Sequence, residues 1–158
     1  MKNKIIIITG DPNSVNSELI FKTYKRLSKT EKKNIYLVGN LKLFVAQFKK
    51  LNIKINLIKV DSIDSVIREN KLKIIDIPLK FKEPFNVPTK DASNYIKKSL
   101  DLAHKLGLNN SVKGIINCPI NKKLLKNSKN RGVTEYFAKK CKILNNTEIM
   151  MIYNSKLS

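Results

Sequence analysis

The sequence predicts an α/β protein with three layers, α/β/α, built on a mostly parallel sheet. Two observations carry this. Short apolar runs alternate with segments of helical period, so strands are separated by helices. The first run, Ile5, Ile6, Ile7, Ile8 and Thr9, is continuous rather than alternating, as in a strand covered on both faces.

After that strand, Asn16 or Ser17 can cap a helix whose Leu19, Ile20, Tyr24 and Leu27 share one face. Residues 34–38 form a second strand, closed by Gly39 and Asn40. A helix with Leu41, Phe44, Val45, Phe48 and Leu51 inward follows. Residues 53–60 and 72–77 predict further strands, with a short helix at 62–69 between them. Pro78, Pro84 and Pro88 then punctuate a stretch that can form neither a ladder nor a helix. We read 79–88 as a surface linker between a first lobe, 1–78, and the start of a second, 89–158. Thr89 or Asp91 opens a long helix bearing Ala92, Tyr95, Ile96, Leu100, Ala103 and Leu106, stopped by Gly107. Residues 114–118 predict a strand ended by Pro119. Short helices at 121–126 and 134–142 and a last strand at 149–153 complete the pattern.

The 158 residues suffice for one domain with a real core, and the 42% apolar content indicates a globular chain. No apolar run approaches the ~20 residues that cross a bilayer. The N-terminal run is too short for a signal peptide, so the expected location is the cytoplasm. Cys118 and Cys141 lack C-x-x-C spacing and are expected to be reduced, partly buried thiols. The formal charge is +20, from 32 basic and 12 acidic residues. A nucleic-acid partner would use such charge. However, only Arg26, Arg68 and Arg131 are arginines, and the lysines are scattered along the chain. Nucleic-acid readers favour the planar guanidinium fork. A lysine-coated, solvated surface is the preferred account, with no nucleic-acid partner.

Three segments could carry chemistry. Thr9, Gly10, Asp11, Pro12, Asn13 and Ser14 follow the first strand, where α/β sheets bind ligands and a helix N-terminus offers N–H groups to an anion. There is no G-x-G-x-x-G, and a plain Asp-Pro turn explains the segment equally well on local grounds. Cys118, Pro119, Ile120, Asn121 and Lys122 place a lysine just beyond a strand, where it could meet a phosphate or carboxylate, but in a chain this rich in lysine a plain surface side chain is the preferred account. Gly132, Val133, Thr134, Glu135, Tyr136 and Phe137 begin a helix that Thr134 can cap. His104 is the sole histidine, and no His/Cys/Asp cluster has metal-ligand spacing.

Taken together, these segments resemble the 4-hydroxythreonine-4-phosphate dehydrogenase family. Its opening Gly-(Asp/Glu)-Pro-Ala-Gly-Ile-Gly-Pro-Glu corresponds to the run from Gly10 to Glu18, its Pro-(Ile/Val)-Asn-Lys to Pro119, Ile120, Asn121 and Lys122. Its Gly-His-Thr-Glu-(Phe/Tyr)-(Phe/Leu) corresponds to the run from Gly132 to Phe137, and its paired methionines to Met150 and Met151. The resemblance implies a fold like that of isocitrate and isopropylmalate dehydrogenases and a homodimer with the active site between subunits. It implies NAD or NADP as cofactor and a divalent metal (Zn, Mg or Co). The substrate would be a small phosphorylated amino acid, oxidised and then decarboxylated.

The resemblance makes Val133 and Thr134 substrate-binding positions. Thr134 keeps the family's hydroxyl, and Val133 replaces its imidazole. Ser14 and Asn16 replace two loop glycines. Gly10, Asp11, Pro12, Asn121 and Lys122 remain a possible phosphate or ligand loop. Family members are roughly twice as long. Their metal-binding histidines lie beyond Ser158, so no catalytic or metal residue is identifiable in this stretch. The expectation is a truncated, N-terminal piece, inactive alone. Val133 also keeps open a paralogous dehydrogenase for another phosphorylated hydroxy acid, such as a threonate phosphate. The charge keeps open a lysine-rich nucleic-acid-binding module.

Overall fold

The computed structural model describes residues 3–65, 67, 71–128 and 132–141. Five strands form one sheet: β1 (Lys4–Ile8), β2 (Ile35–Gly39), β3 (Leu57–Lys59), β4 (Leu72–Asp76) and β5 (Val112–Asn117). Their order is β3-β4-β2-β1-β5, and every pairing is parallel. Alternate side chains along each strand enter different cores. Ile6, Ile8, Tyr36, Val38 and Ile75 meet α4 (Thr89–Gly107) and α5 (Val133–Lys140) on one side. Ile35, Leu37, Leu72 and Ile74 meet α1 (Asn16–Arg26) and α3 (Leu41–Lys50) on the other. Three layers result because strands buried on both faces need a helical cover on each.

The chain orders the sheet around β1. The segments from β1 to β4 build on one side of it, with α1 and α3 in the same layer. The crossover through α4 then reaches the other side, where β5 pairs with Ile5, Ile6, Ile7 and Ile8. Beyond their loops, the chain leaving β1 and the chain leaving β5 therefore pass to opposite faces of the sheet, at the switch point where such folds bind ligands. Segment 79–88 has no regular structure, and both sides of it contribute strands to this sheet.

Several local features differ from expectation. A short helix, α2 (Lys29–Asn34), precedes β2, closed by a capping box in which Ser28 Oγ accepts from Glu31 N and Glu31 Oε2 accepts from Ser28 N at 2.8 Å. Strand β3 has three residues rather than eight, because α3 ends in a Schellman turn. Asn52 adopts φ 54°, Asn52 N donates to Lys49 O, and Ile53 N donates to Phe48 O. Leu19, Val45 and Leu51 are exposed rather than inward, while the polar Gln47 is buried. Helix α1 starts after Val15 with no side-chain cap, and Asn16 and Ser17 are buried within it. Gly132, not Thr134, precedes α5. Residues 62–65 form a turn rather than a helix, closed by Ser65 N to Ser62 O. The remainder of that expected helix lies largely outside the described residues, as do the last strand at 149–153 and Met150 and Met151.

Lys73 is the one buried lysine among the described residues, 4% exposed in β4. Its ammonium donates to the carbonyls of Lys32 and Lys33 at the end of α2 and lies 4.3 Å from the Tyr36 ring centroid. Burial, assisted by the charge of Lys4, pushes its pKa down from 10.5 to about 8. Between those values the unfolded chain binds more protons than the folded one, so stability rises with pH across that window and is flat below it. The effect amounts to at most roughly 3 kcal/mol. We expect K73M to gain most over the parent below about pH 8, with the gain shrinking towards pH 10 in urea titrations. A gain independent of pH would contradict the shift.

Candidate functional site

The loop after β1 and the loop after β5 lock together at the carboxyl edge of the sheet. Gly10 holds φ 72°, and a Cβ there would sit 2.6 Å from both Pro119 O and Asn16 Nδ2. Only glycine fits such a turn. Asp11 N donates to Pro119 O at 3.2 Å. Asn16 Nδ2 donates to Thr9 O at 3.0 Å and to Pro119 O at 2.9 Å, tying the two loops across 103 positions of sequence. Asp11 also organises the turn: its Oδ1 accepts from Asn13 N at 2.9 Å, and its carbonyl accepts from Ser14 Oγ at 2.7 Å.

Segment 79–88 is fastened to the same loop through Val87 and Pro84. Asn13 Nδ2 donates to Val87 O, and Val87 N donates to Asn13 Oδ1. Gln47 Nε2 donates to Pro12 O and Pro84 O. This explains the burial of a glutamine on the inner face of α3, since both hydrogens of its amide are used.

Beneath the loop runs a directional chain. Asn40 N donates to Tyr95 Oη at 3.2 Å, the Tyr95 hydroxyl lies 2.7 Å from Thr9 Oγ1, and Thr9 Oγ1 donates to Val38 O at 3.1 Å. Thr9 has spent its hydrogen on Val38, so Tyr95 donates to Thr9. Burial pushes the phenol pKa up to about 12, its hydrogen bonds partly opposing, so Tyr95 holds its proton throughout the physiological range.

The space left inside this constellation is only about 10 Å³, lined by Gly10, Asp11, Pro12, Asn16, Gln47 and Tyr95 among others. That is about the least that holds a water. The first two predicted segments are thus brought together as a filled platform. Asn121 begins the 3-10 turn Lys122–Ser128, its Oδ1 accepting from Lys123 N at 3.0 Å, and Lys122 is exposed beside it.

The third segment stands apart. Val133 packs against the α4-side core, and Thr134 is exposed in the first turn of α5. Among the described residues no hydrogen bond joins Thr134 to Gly10, Asp11, Asn121 or Lys122. Helix α5 is held to α4 by Tyr136, whose hydroxyl donates to Asp101 Oδ1 at 2.7 Å, and by the Lys140–Asp101 ion pair at 2.6 Å. Both cysteines are free. Cys118 is buried, which pushes its thiol up to about 11, whereas Cys141 is exposed rather than partly buried. Cys141 Sγ lies 3.6 Å from His104 Nε2, a neighbour invisible in sequence, and His104 stacks on Phe137. Among the described residues no three His, Cys, Asp or Glu gather as a metal-binding set. Nor is any helix among them long and apolar enough to cross a membrane.

An all-parallel α/β/α sheet with interlocked loops at its switch point defines a doubly wound α/β protein, a class that binds ligands beyond the carboxyl ends of its strands. The chain belongs to the family of pyridoxal phosphate biosynthetic proteins PdxA, which matches residues 31–158. It is 29% identical over 159 aligned positions to 4-hydroxythreonine-4-phosphate dehydrogenase of Aquifex aeolicus, covering 99% of this chain and 48% of that protein. The chain thus spans about half the length of the curated relative it matches. Crystal structures of 4-hydroxythreonine-4-phosphate dehydrogenase from Klebsiella pneumoniae and Burkholderia phymatum share its fold. Their TM-scores are 0.72 and 0.73, at 23% and 18% identity. The matches cover 87% and 88% of this chain but 44% and 43% of those chains.

Proposed function

We propose that this chain supplies the N-terminal half of an NAD(P)-dependent dehydrogenase that oxidises 4-phosphooxy-threonine and releases carbon dioxide. The product would be 3-amino-2-oxopropyl phosphate, on the route to pyridoxine 5'-phosphate. The observation that supports this most is the family match through residue 158, carrying Pro119–Lys122 and Gly132–Phe137 in the family's order. When bound, the oxidised nicotinamide supplies the hydride acceptor. This half contributes position: the Gly10 platform fixes the carboxyl edge, Asn121 and Lys122 face outward from it, and Thr134 offers a hydroxyl to the substrate. The described residues do not fit the donor set of a divalent metal, and no step is assigned to one. In the whole protein the linker 79–88 joins two lobes, and two copies associate as a cytoplasmic homodimer.

Val133 favours a second reading, a related dehydrogenase acting on another phosphorylated hydroxy acid, because a valine cannot donate the hydrogen bond of an imidazole. NAD(P)H formation distinguishes them. The 158-residue chain is expected to give no turnover, and the product of the whole reading frame to oxidise 4-phosphooxy-threonine. V133H should raise kcat/KM for it by about tenfold, the worth of one hydrogen bond to a charged or polar partner. Turnover of a threonate phosphate alone would establish the second reading, and turnover of neither would overturn both.

A further inference from the structure

The carboxyl edge holds a roomier opening than the filled switch point. A cleft of about 490 Å³ lies beyond the ends of β2 and β4, between the first turns of α3 and α4. We propose that this cleft is a phosphoryl-binding site in which Lys42, Lys80 and Lys98 neutralise the phosphate of a small-molecule ligand.

Position is the first support, since ligands of open α/β sheets sit beyond the carboxyl ends of strands. Size is the second: the volume lies in the range of small-molecule pockets, whereas the neighbouring void admits nothing larger than water. Charge is the third. Lys42, Lys80 and Lys98 line the cleft and are exposed. None of them has a carboxylate partner among the described residues, whereas Lys4, Lys22, Lys50 and Lys140 each do. Like charges lining one concavity repel each other, and a bound dianion reverses that interaction.

Two carboxylates share the lining and play different parts. Asp76 Oδ1 already accepts from Leu41 N at 2.8 Å and from Asn40 Nδ2 at 3.4 Å, so it caps the start of α3 and forms the floor. Asp91, in the first turn of α4, stays available to a hydroxyl or amino group on the same ligand. The wall is rigid because Tyr95 lines both this cleft and the Gly10 void, with its hydroxyl fixed by Asn40 and Thr9. The assignment rests on the cleft and does not depend on the dehydrogenase reading.

The test is phosphorus NMR and calorimetric titration of the 158-residue chain with orthophosphate and with pyrophosphate, at about 0.15 M salt to screen diffuse attraction. Saturable binding is expected. K42A/K80A/K98A should weaken it at least about 100-fold, at roughly tenfold or more for each charge-assisted contact. K25A/K29A/K54A removes the same charge elsewhere and should change it by no more than about twofold, the scale of screened surface charges. Tighter orthophosphate supports a phosphate monoester as the occupant, and tighter pyrophosphate supports a diphosphate-bridged ligand such as a dinucleotide. Equal loss in the two triple variants, or no saturation with either anion, would overturn the proposal. Because no turnover is measured, this outcome is separate from the fate of the dehydrogenase assignment.

Discussion

Gly10→Ala is expected to lower the stability of the chain by about 3–5 kcal/mol, read as a fall in the urea midpoint at unchanged slope. The added Cβ meets atoms that cannot yield cheaply: Pro119 O and Asn16 Nδ2 at 2.6 Å and Cys118 O at 2.9 Å. Holding a non-glycine residue at φ 72° costs about 1–2 kcal/mol by itself. Pushing Asn16 aside leaves the Thr9 carbonyl without its donor, at roughly 1–3 kcal/mol, and leaves Pro119 O with Asp11 N alone. For a chain of this size that corresponds to a loss of about 10 °C in Tm. A change below about 1 kcal/mol would mean that the two loops do not interlock as described.

Tyr95→Ala should cost more, about 4–6 kcal/mol. It empties a fully enclosed site between the Gly10 loop and α4 and orphans Asn40 N. That is a large share of the total stability of a domain, so Tyr95→Phe separates the two contributions. The phenylalanine keeps the ring and removes only the middle of the Asn40–Tyr95–Thr9–Val38 chain, for an expected loss of about 1–2 kcal/mol. If Tyr95→Phe were neutral while Tyr95→Ala lost its full amount, the ring would matter and the hydroxyl chain would not.

Both residues illustrate what the sequence could and could not disclose. Tyr95 fell on the apolar face of a helix with strong periodicity, so its burial was legible. The partners of its hydroxyl were not, since Thr9 lies 86 positions away. Strands β1, β2 and β5 and helix α4 were legible for the same reason of pattern. Helix α2 was written in Ser28 and Glu31, three apart, and escaped notice because its body, Lys29–Asn34, has no apolar face. The run from Ile53 to Val60 has the apolar pattern of a half-buried strand over its whole length, while the Asn52 turn leaves only Leu57–Lys59 to pair. At the site, Gly10, Asp11, Pro12, Asn121 and Lys122 were grouped by the resemblance alone, and the hydrogen bonds that join their loops were not legible. Asn16 passed for a helix cap and Gln47 was not singled out, because the carbonyls they serve come from distant loops. The Lys42, Lys80 and Lys98 cleft was hidden by the abundance of lysine, which makes any single one uninformative.

The central place of β1 has a consequence for biosynthesis. Its neighbours are β2 on one flank and β5 on the other, and the seal between its loop and Pro119 spans 103 positions. At translation speeds of about 5–20 residues per second, the emerging polypeptide carries this isoleucine-rich segment half-clothed for roughly 5–20 seconds. Throughout that interval chaperone capture competes with self-association, so yield in the cell should respond to synthesis rate more than to final stability.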